Sequence, residues 1–286
     1  MRFLVTGANG QLGNELRTLS EMPNYSEHTY YFTDVTELDI CDEKALFDFF
    51  STHEVDVAIN CAAYTAVDKA EENEALCEKI NAVAPQLLAQ AAQAHGARVL
   101  QVSTDYVFDG THCRPYLESD DTAPVSVYGR TKLAGEEAVM NFCPLSAVVR
   151  TAWLYSTHGN NFVKTMIRLG REREELSVVA DQVGTPTYAA DLAEALLTMA
   201  IQGIQPGIYH YTNEGVASWY DFTVAIHRLA GVNNCKVKPI RTEDYPTPAA
   251  RPAYSLLSKT KIKTTYSLEI PHWEEALKLC IKRLES

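Results

Sequence analysis

The chain has 286 residues, of which 46% are hydrophobic, and its formal net charge is −12. This length and hydrophobic fraction allow a full buried core and exclude extended disorder. The acidic balance gives no electrostatic reason to bind nucleic acid or an anionic membrane. The seven cysteines are scattered without a Cys-x-x-Cys pair, and no segment resembles a signal peptide or a membrane span. We therefore expect reduced thiols and a cytoplasmic location.

The first half of the chain alternates short apolar runs with amphipathic stretches. The apolar runs predict strands at residues 2–7, 29–34, 55–63, 97–104 and 145–151. Helices are predicted from residue 11 to about 20, over 42–53 and 73–96, and in the region of 126–139. This alternation is typical of βαβ units with continuous apolar strands. The predicted fold class is α/β, a Rossmann-type doubly wound parallel sheet with helices on both faces.

After residue 151 the alternation becomes less regular. The pattern predicts helices at 159–174 and 189–201, a strand at 207–212 and a final amphipathic helix near 271–284. The segments 181–188 and 241–258 are rich in Pro with Gly or Ala and are predicted to be loops. We interpret this half as a smaller C-terminal substrate lobe, interleaved with the sheet. Residues 1–155 and 186–213 would form the dinucleotide-binding domain, and residues 156–185 and 214–286 the substrate-binding lobe.

Three glycines lie between the first predicted strand and the first predicted helix, at Gly7, Gly10 and Gly13. In that position they permit a tight turn, let a diphosphate approach the backbone and let the helix pack closely on the strand. Asp34 ends the second predicted strand, where a carboxylate can bind the adenosine ribose 2′-hydroxyl. The pattern predicts NADH or NADPH as cofactor, and Asp34 favours NADH because it would repel a 2′-phosphate. A simple packing turn and a strand-terminal turn residue are the alternatives.

The segment "SVYGRTKLAGEEAV" at 126–139 places Tyr128 and Lys132 one helical turn apart. A Tyr-x-x-x-Lys pair is expected by chance in a chain of this composition, so its interpretation depends on the motifs around it. A ketone reduction requires a proton donor, and an ammonium and a helix N-terminus both lower the pKa of a nearby phenol. Thr104, at the end of the fourth predicted strand, could hydrogen-bond the same carbonyl oxygen. We predict a proton-delivery unit of Tyr128, Lys132 and Thr104, with Lys132 also binding the nicotinamide ribose.

The glycine turn followed by Tyr-x-x-x-Lys resembles the extended short-chain dehydrogenase/reductase superfamily. Further runs, in order along nearly the whole chain, resemble the dTDP-4-dehydrorhamnose reductase family. These runs are NCAAYTAVDKAE (60–71), STDYVFDG (103–110), VYGRTKLAGE (127–136), RTAWLY (150–155), GNNFVKTM (159–166), DQVGTPT (181–187) and YPTPAARP (245–252). The resemblance implies NAD(P)H-dependent reduction of the C4 ketone of dTDP-6-deoxy-L-lyxo-4-hexulose to dTDP-L-rhamnose, a precursor of bacterial surface polysaccharides.

The resemblance also implies a set of site residues. Those for the cofactor are Gly7, Gly10, Gln11, Leu12, Gly13, Asp34, Asp39, Ile40, Ala62, Ala63, Tyr64, Thr65, Tyr128 and Lys132. Those for the nucleotide-sugar are Thr104, Asp105, Tyr128, Trp153 and Arg251. Trp153 would pack on the sugar, and Arg251 would supply the cation that a diphosphate requires. Core packing for Trp153 and a surface position for Arg251 are the alternatives.

Two other functions share these motifs. A nucleotide-sugar epimerase or 4,6-dehydratase has the same fold, but the dehydratase pattern is Thr-Asp-Glu where this chain has Thr104-Asp105-Tyr106. The non-catalytic regulatory subunit of methionine adenosyltransferase binds NAD(P) without turnover. Some members of the resembled family form Mg²⁺-bridged dimers, and Glu15 matches one ligand position whereas Ala190 stands at another. We expect no tightly bound metal, and a monomer or a homodimer.

Overall fold

The structure is a computed structural model that describes residues 1–285. Ser286, the last residue of the predicted substrate-binding lobe, lies outside the described residues. The first half of the chain contains the predicted alternation of strands and helices. Its elements are β1 (Arg2–Thr6), α1 (Gln11–Ser20), β2 (Thr29–Thr33), α2 (Glu43–His53), β3 (Val57–Asn60), α3 (Val67–Ala70), α4 (Glu74–Glu78), α5 (Ala84–Ala94), β4 (Arg98–Thr104), α6 (Val127–Phe142) and β5 (Ala147–Thr151).

The second half is built from shorter elements. They are β6 (Leu154–Tyr155), α7 (Phe162–Glu172), β7 (Glu175–Val179), β8 (Val183–Gly184), β9 (Thr187–Tyr188), α8 (Ala189–Gln202), β10 (Gly207–His210), β11 (Ala217–Ser218), α9 (Trp219–Leu229), β12 (Lys236–Ile240), α10 (Thr260–Tyr266) and α11 (Trp273–Glu285). The segment predicted as a loop at 181–188 contains β8 and β9. Strands of two residues are too short for alternation to reveal them.

The main sheet has six strands in the order β10-β5-β4-β3-β1-β2, and all neighbours are parallel. One face packs on α1 and α8 and the opposite face on α2 and α5, each through a continuous apolar core. The predicted fold class is therefore confirmed. Chain order reverses between β1 and β3, and such a reversal opens a crevice at the carboxyl ends of the strands.

A second apolar core lies among elements of the second half of the chain. Side chains from α7, α9 and α11 surround it, among them Val163, Phe222, Ile226, Trp273 and Leu277. Two small sheets, β7 with β12 and β8 with β11, also lie in the second half of the chain. Across residues 1–285, none of the helices has the length and apolar character needed to span a bilayer.

The helix predicted over 73–96 is interrupted in its middle. Between α4 and α5 lies a turn of π-helix, Lys79–Val83, with Pro85 in the first turn of α5. Proline lacks an N–H group, and in a regular helix its ring would clash with the carbonyl of Asn81, four residues earlier. The wider π-helical turn removes that conflict. It also determines the position of Asn81.

Candidate active site

A cavity of ≈ 900 Å³ opens at the carboxyl ends of the sheet strands, beside the reversal between β1 and β3. Most residues predicted for the site line it. They are Gly7, Gly10, Gln11, Leu12, Asp34, Asp39, Ile40, Ala62, Ala63, Thr65, Thr104, Asp105, Tyr128, Lys132 and Trp153. Gly13, Tyr64 and Arg251, which were also predicted for the site, do not line the cavity.

The glycine turn has the geometry that a diphosphate requires. Gly7 has φ +63°, and a Cβ there would lie 2.7 Å from the backbone of Ala62, so the turns after β1 and β3 are in direct contact. A Cβ on Gly13 would lie 2.5 Å from Ala8, so that glycine serves close packing of α1. Gly10 precedes α1 without a side-chain cap, which leaves the helix N-terminus available to phosphate oxygens. These features fit a dinucleotide cofactor.

Asp34 directly follows β2 and contacts the glycine turn. Its carboxylate accepts hydrogen bonds from the backbone N–H of Asn9 at 3.1 Å and of Val35 at 2.9 Å. Ala8 N–H also donates to the Thr33 carbonyl at 3.0 Å. Asp34 thus fixes the glycine turn against the end of β2 and still lines the cavity.

Asn81 is a site-forming residue that the sequence analysis did not identify. Its side-chain oxygen accepts from Tyr64 N–H at 2.8 Å, and its Nδ2 donates to the Tyr64 carbonyl at 3.1 Å. Both bonds are partly buried, and they fix the turn of Ala62, Ala63 and Thr65 that lines the cavity. The available signal was Pro85, because a proline inside a helical pattern predicts a distortion one turn earlier.

The N-terminus of α6 is held firmly against the cavity. Ser126 caps the helix by accepting from Gly129 N–H at 3.1 Å, and Glu71 accepts from Val127 N–H at 2.9 Å. A Cβ on Gly129 would lie 2.3 Å from the carbonyl oxygen of Tyr106. Glycine at this position therefore lets α6 approach the turn after β4, and that approach places Tyr128 beside Thr104.

The expected lowering of the Tyr128 pKa is wrong for this structure. Removal from water raises the pKa of the phenol well above its usual range, while the Thr104 hydroxyl opposes the rise and the Asp105 carboxylate adds to it. Lys132 does not oppose the rise, because its ammonium donates to the Val102 carbonyl at 2.6 Å. Tyr128 is consequently a protonated phenol over the whole neutral range.

Lys132 and Asp105 have pKa values displaced toward neutrality. Burial lowers the pKa of Lys132 to about 8, against the attraction of Glu136. Burial raises the pKa of Asp105 to about 6, with the hydroxyls of Ser255 and Thr104 opposing. Thr104 donates to Asp105 at 3.1 Å, so a hydroxyl, a phenol and a carboxyl form one group at the end of β4. Such displaced pKa values are common where a protein handles protons.

Trp153 lies on the wall of the cavity in the left-handed backbone region, with φ +50°. Its ring stacks on Trp219, with centroids 3.6 Å apart and an interplanar angle of 10°. A non-glycine residue in this conformation is strained and persists only where its surroundings hold it. Trp219 is a second residue that the sequence analysis did not identify, and no sequence signal separates it from a core tryptophan.

Arg251 is paired with Asp68. Its two terminal nitrogens donate to the two Asp68 oxygens at 2.6 and 2.7 Å, and one also donates to the Ala249 carbonyl. Tyr106, which lines the cavity, acts electrostatically on the same guanidinium. The arginine is therefore a half-buried, oriented cation.

Glu15, the residue that matches a metal position in the resembled family, points into the protein. It accepts a hydrogen bond from the Ser156 hydroxyl at 2.6 Å, and an Arg283 nitrogen lies 4.0 Å from its second oxygen. Within residues 1–285 no three His, Cys, Asp or Glu side chains come together as a metal site.

Comparison with known proteins gives a consistent result. The family model described as "RmlD substrate binding domain" matches residues 1–286. A dTDP-4-dehydrorhamnose reductase of Aggregatibacter actinomycetemcomitans is 42% identical, over 97% of each chain. The crystal structure of a reductase of that name from Clostridium acetobutylicum is 47% identical, covers 100% of both chains and has a TM-score of 0.95. The Bacillus anthracis enzyme, solved in complex with NADP, is 41% identical over 99% of each chain, with a TM-score of 0.94.

Proposed function

This chain belongs to the dTDP-4-dehydrorhamnose reductase family of NAD(P)H-dependent oxidoreductases, and from that premise we propose how its site performs the reduction. The substrate is the 4-keto sugar dTDP-4-dehydro-6-deoxy-L-mannose, and the product is dTDP-L-rhamnose. One observation carries the assignment of roles. The Tyr128 phenol, the Thr104 hydroxyl and Lys132 line the same cavity as the phosphate-binding turn at Gly7 and Gly10.

The cofactor supplies a hydride to C4 of the sugar when it is bound. The N-terminus of α1 would bind its diphosphate, and Asp34 its adenosine ribose. Lys132 would bind the nicotinamide ribose, with Ala62, Ala63 and Thr65 beside it. NADPH and NADH are both proposed as donors, since the Bacillus anthracis relative holds NADP and Asp34 favours a free 2′-hydroxyl.

Tyr128 delivers the proton to the carbonyl oxygen. A reduction requires the protonated phenol, and burial keeps Tyr128 in that form. The Thr104 hydroxyl would orient the same oxygen, and Lys132 would act through the nicotinamide ribose and not on the Tyr128 phenol. Asp105 and Trp153 would contact the sugar, and Arg251 the diphosphate.

The 4,6-dehydratase is not favoured, because elimination of water needs a further carboxylic acid where this chain has Tyr106. We further propose that the enzyme works in the cytoplasm as a monomer or homodimer, with residues 156–185 and 214–286 forming the substrate-binding lobe. The seven cysteines are free thiols, which supports a reducing compartment.

Turnover tests the proposal. The dTDP-4-keto-6-deoxy sugar should oxidise NADPH or NADH in a time course followed by absorbance of the reduced nicotinamide. Tyr128→Phe should lower kcat by about 10²–10⁴-fold, the usual contribution of a positioned proton donor, and still bind the cofactor. The matched control is Tyr106→Phe, which removes a neighbouring phenol. A Tyr128→Phe enzyme that retains most of its kcat would exclude the proposed mechanism.

A further inference from the structure

Behind the site, α6 carries a buried carboxylate that the mechanism above does not use. Glu136 lies one helical turn after Lys132, and their exposed fractions are 1% and 4%. Burying a carboxylate costs several kcal/mol unless it is paired and fully hydrogen-bonded, so its partners deserve identification.

Glu136 is bound by groups from both of the strands beside α6. Arg150, in β5, donates through Nε at 3.0 and 3.1 Å and through Nη2 at 2.7 Å. Ser103, in β4, donates its hydroxyl to the same carboxylate. Ser103 lies between Val102, whose carbonyl accepts from Lys132, and Thr104. Two bonds, at the consecutive residues Val102 and Ser103, therefore join β4 to the helix that carries Tyr128.

We infer that Glu136 is a positioning residue of the reduction, which keeps the Lys132 ammonium charged and fixes α6 to the end of β4. The inference rests on the proposed function, since it gives Glu136 its effect through Lys132. Arg150 forms an ion pair with Glu136 at 2.7 Å, but it is not among the groups that shift the pKa of Lys132.

The groups that act on the Lys132 charge come from three elements. They are Glu136 on α6, Cys61 after β3 and Cys77 in α4. Burial raises the pKa of the Cys61 thiol to about 12, so that thiol is neutral through the working range. Tyr128 is likewise a neutral phenol. Glu136 is the carboxylate in this set, and its charge opposes the desolvation of Lys132.

The experiment is a pH profile of kcat from pH 6 to 10. In the native enzyme the rate should fall on the alkaline side as Lys132, with a pKa of about 8, loses its proton. Glu136→Gln keeps the shape and removes the charge, and its alkaline limb should move to lower pH by about one unit. Ser103→Ala removes one bond to Glu136 and keeps the charge, so its limb should stay in place.

Glu136→Gln leaves Arg150 buried without its carboxylate and could fail to fold. The double variant E136Q/R150Q removes both charges, and its limb should move as in the single variant. A uniform fall in rate at every pH, with an unmoved limb, would contradict the inference. If the native enzyme reduces no 4-keto sugar nucleotide, the proposed function fails. Cofactor affinity against pH then tests Glu136 alone, because Lys132 faces the cofactor cavity in either case.

Discussion

The guanidinium of Arg251 and the carboxylate of Asp68 are joined by two hydrogen bonds of 2.6 and 2.7 Å. The two residues come from separate segments, one from the Pro-rich segment before α10 and the other from α3. The pair lowers the pKa of Asp68 through the side-chain hydrogen bond from Arg251. It orients the guanidinium beside the cavity before any diphosphate arrives.

Arg251→Ala should raise KM for the nucleotide-sugar at least about tenfold, because a charge-assisted phosphate contact is lost. KM for NAD(P)H should not change. Asp68→Asn is the matched control, since it keeps the cation and removes its partner, and it should change substrate KM much less. Equal increases in the two variants would show that Arg251 only bridges the two segments. Steady-state kinetics with each substrate varied distinguishes these results.

Asp34→Ser should shift the cofactor preference toward NADPH. Removing the carboxylate ends its repulsion of a 2′-phosphate, and we expect the ratio of kcat/KM for NADPH to that for NADH to rise about tenfold. Glu37→Gln removes a neighbouring exposed carboxylate that accepts from Asp34 N–H, and it should change the ratio less. If the ratio is unchanged in Asp34→Ser, the adenosine ribose does not bind at Asp34.

Asn81→Ala should weaken cofactor binding although Asn81 does not line the cavity. The variant removes both side-chain hydrogen bonds to the partly buried N–H and carbonyl of Tyr64, at a cost of about 1–3 kcal/mol in stability. It should also raise the cofactor Kd, because the Ala62–Thr65 turn loosens. Asn73→Ala removes an amide side chain that donates to the Lys69 carbonyl, and it should leave the Kd unchanged. Cofactor titration and thermal unfolding provide the two readouts.

Asp105→Asn should stabilise the protein at alkaline pH. The folded-state pKa of about 6 lies above the unfolded value of about 3.9, so stability is greatest below pH 4 and falls as pH rises through 6. The ionised carboxylate costs ~2–3 kcal/mol of unfolding free energy above that range. The variant should therefore unfold at higher Tm than the native protein at pH 8, with the difference vanishing near pH 4.

Asp109→Asn provides the opposite case. Hydrogen bonds from Thr111 and Tyr116 lower the pKa of Asp109, so its ionised form stabilises the fold above the unfolded pKa. That stability is lost as pH falls through the folded pKa. Its asparagine variant should be less stable than the native protein at pH 8. If Asp105→Asn unfolds at a lower Tm than the native protein at pH 8, the prediction made above for Asp105 is wrong.

The sheet and the glycine turn could be predicted because each depends on local pattern. Apolar runs determine the strands, and Gly7 and Gly13 occupy positions where a Cβ would collide with neighbouring backbone. The protonation of Tyr128 could not be predicted from the spacing to Lys132. Spacing places both on one helix face, but the Val102 carbonyl, 30 residues away, determines where the ammonium points.

Dependence on contacts between distant parts of the chain also explains why the sequence analysis did not identify Asn81 and Trp219. Asn81 reaches Tyr64 through a distorted turn, and Trp219 reaches Trp153 from 66 positions away in the chain. Contacts of this kind depend on how separate elements pack, and they leave no periodic trace in the sequence. Asp105, Trp153 and Arg251 were assigned to the substrate site by family resemblance, and their roles stay predictions.

Strand β10, residues 207–210, forms one edge of the main sheet. It pairs with β5 and places Ile208 beside Val148. A nascent chain that has reached only residue 155 therefore has an unpaired edge at β5, with Val148 and Val149 ready to pair with another strand. During synthesis this edge stays open for about 50 further residues, or several seconds at typical elongation rates. Fragments truncated before β10 should aggregate during expression, whereas those ending after His210 should not do so through this edge.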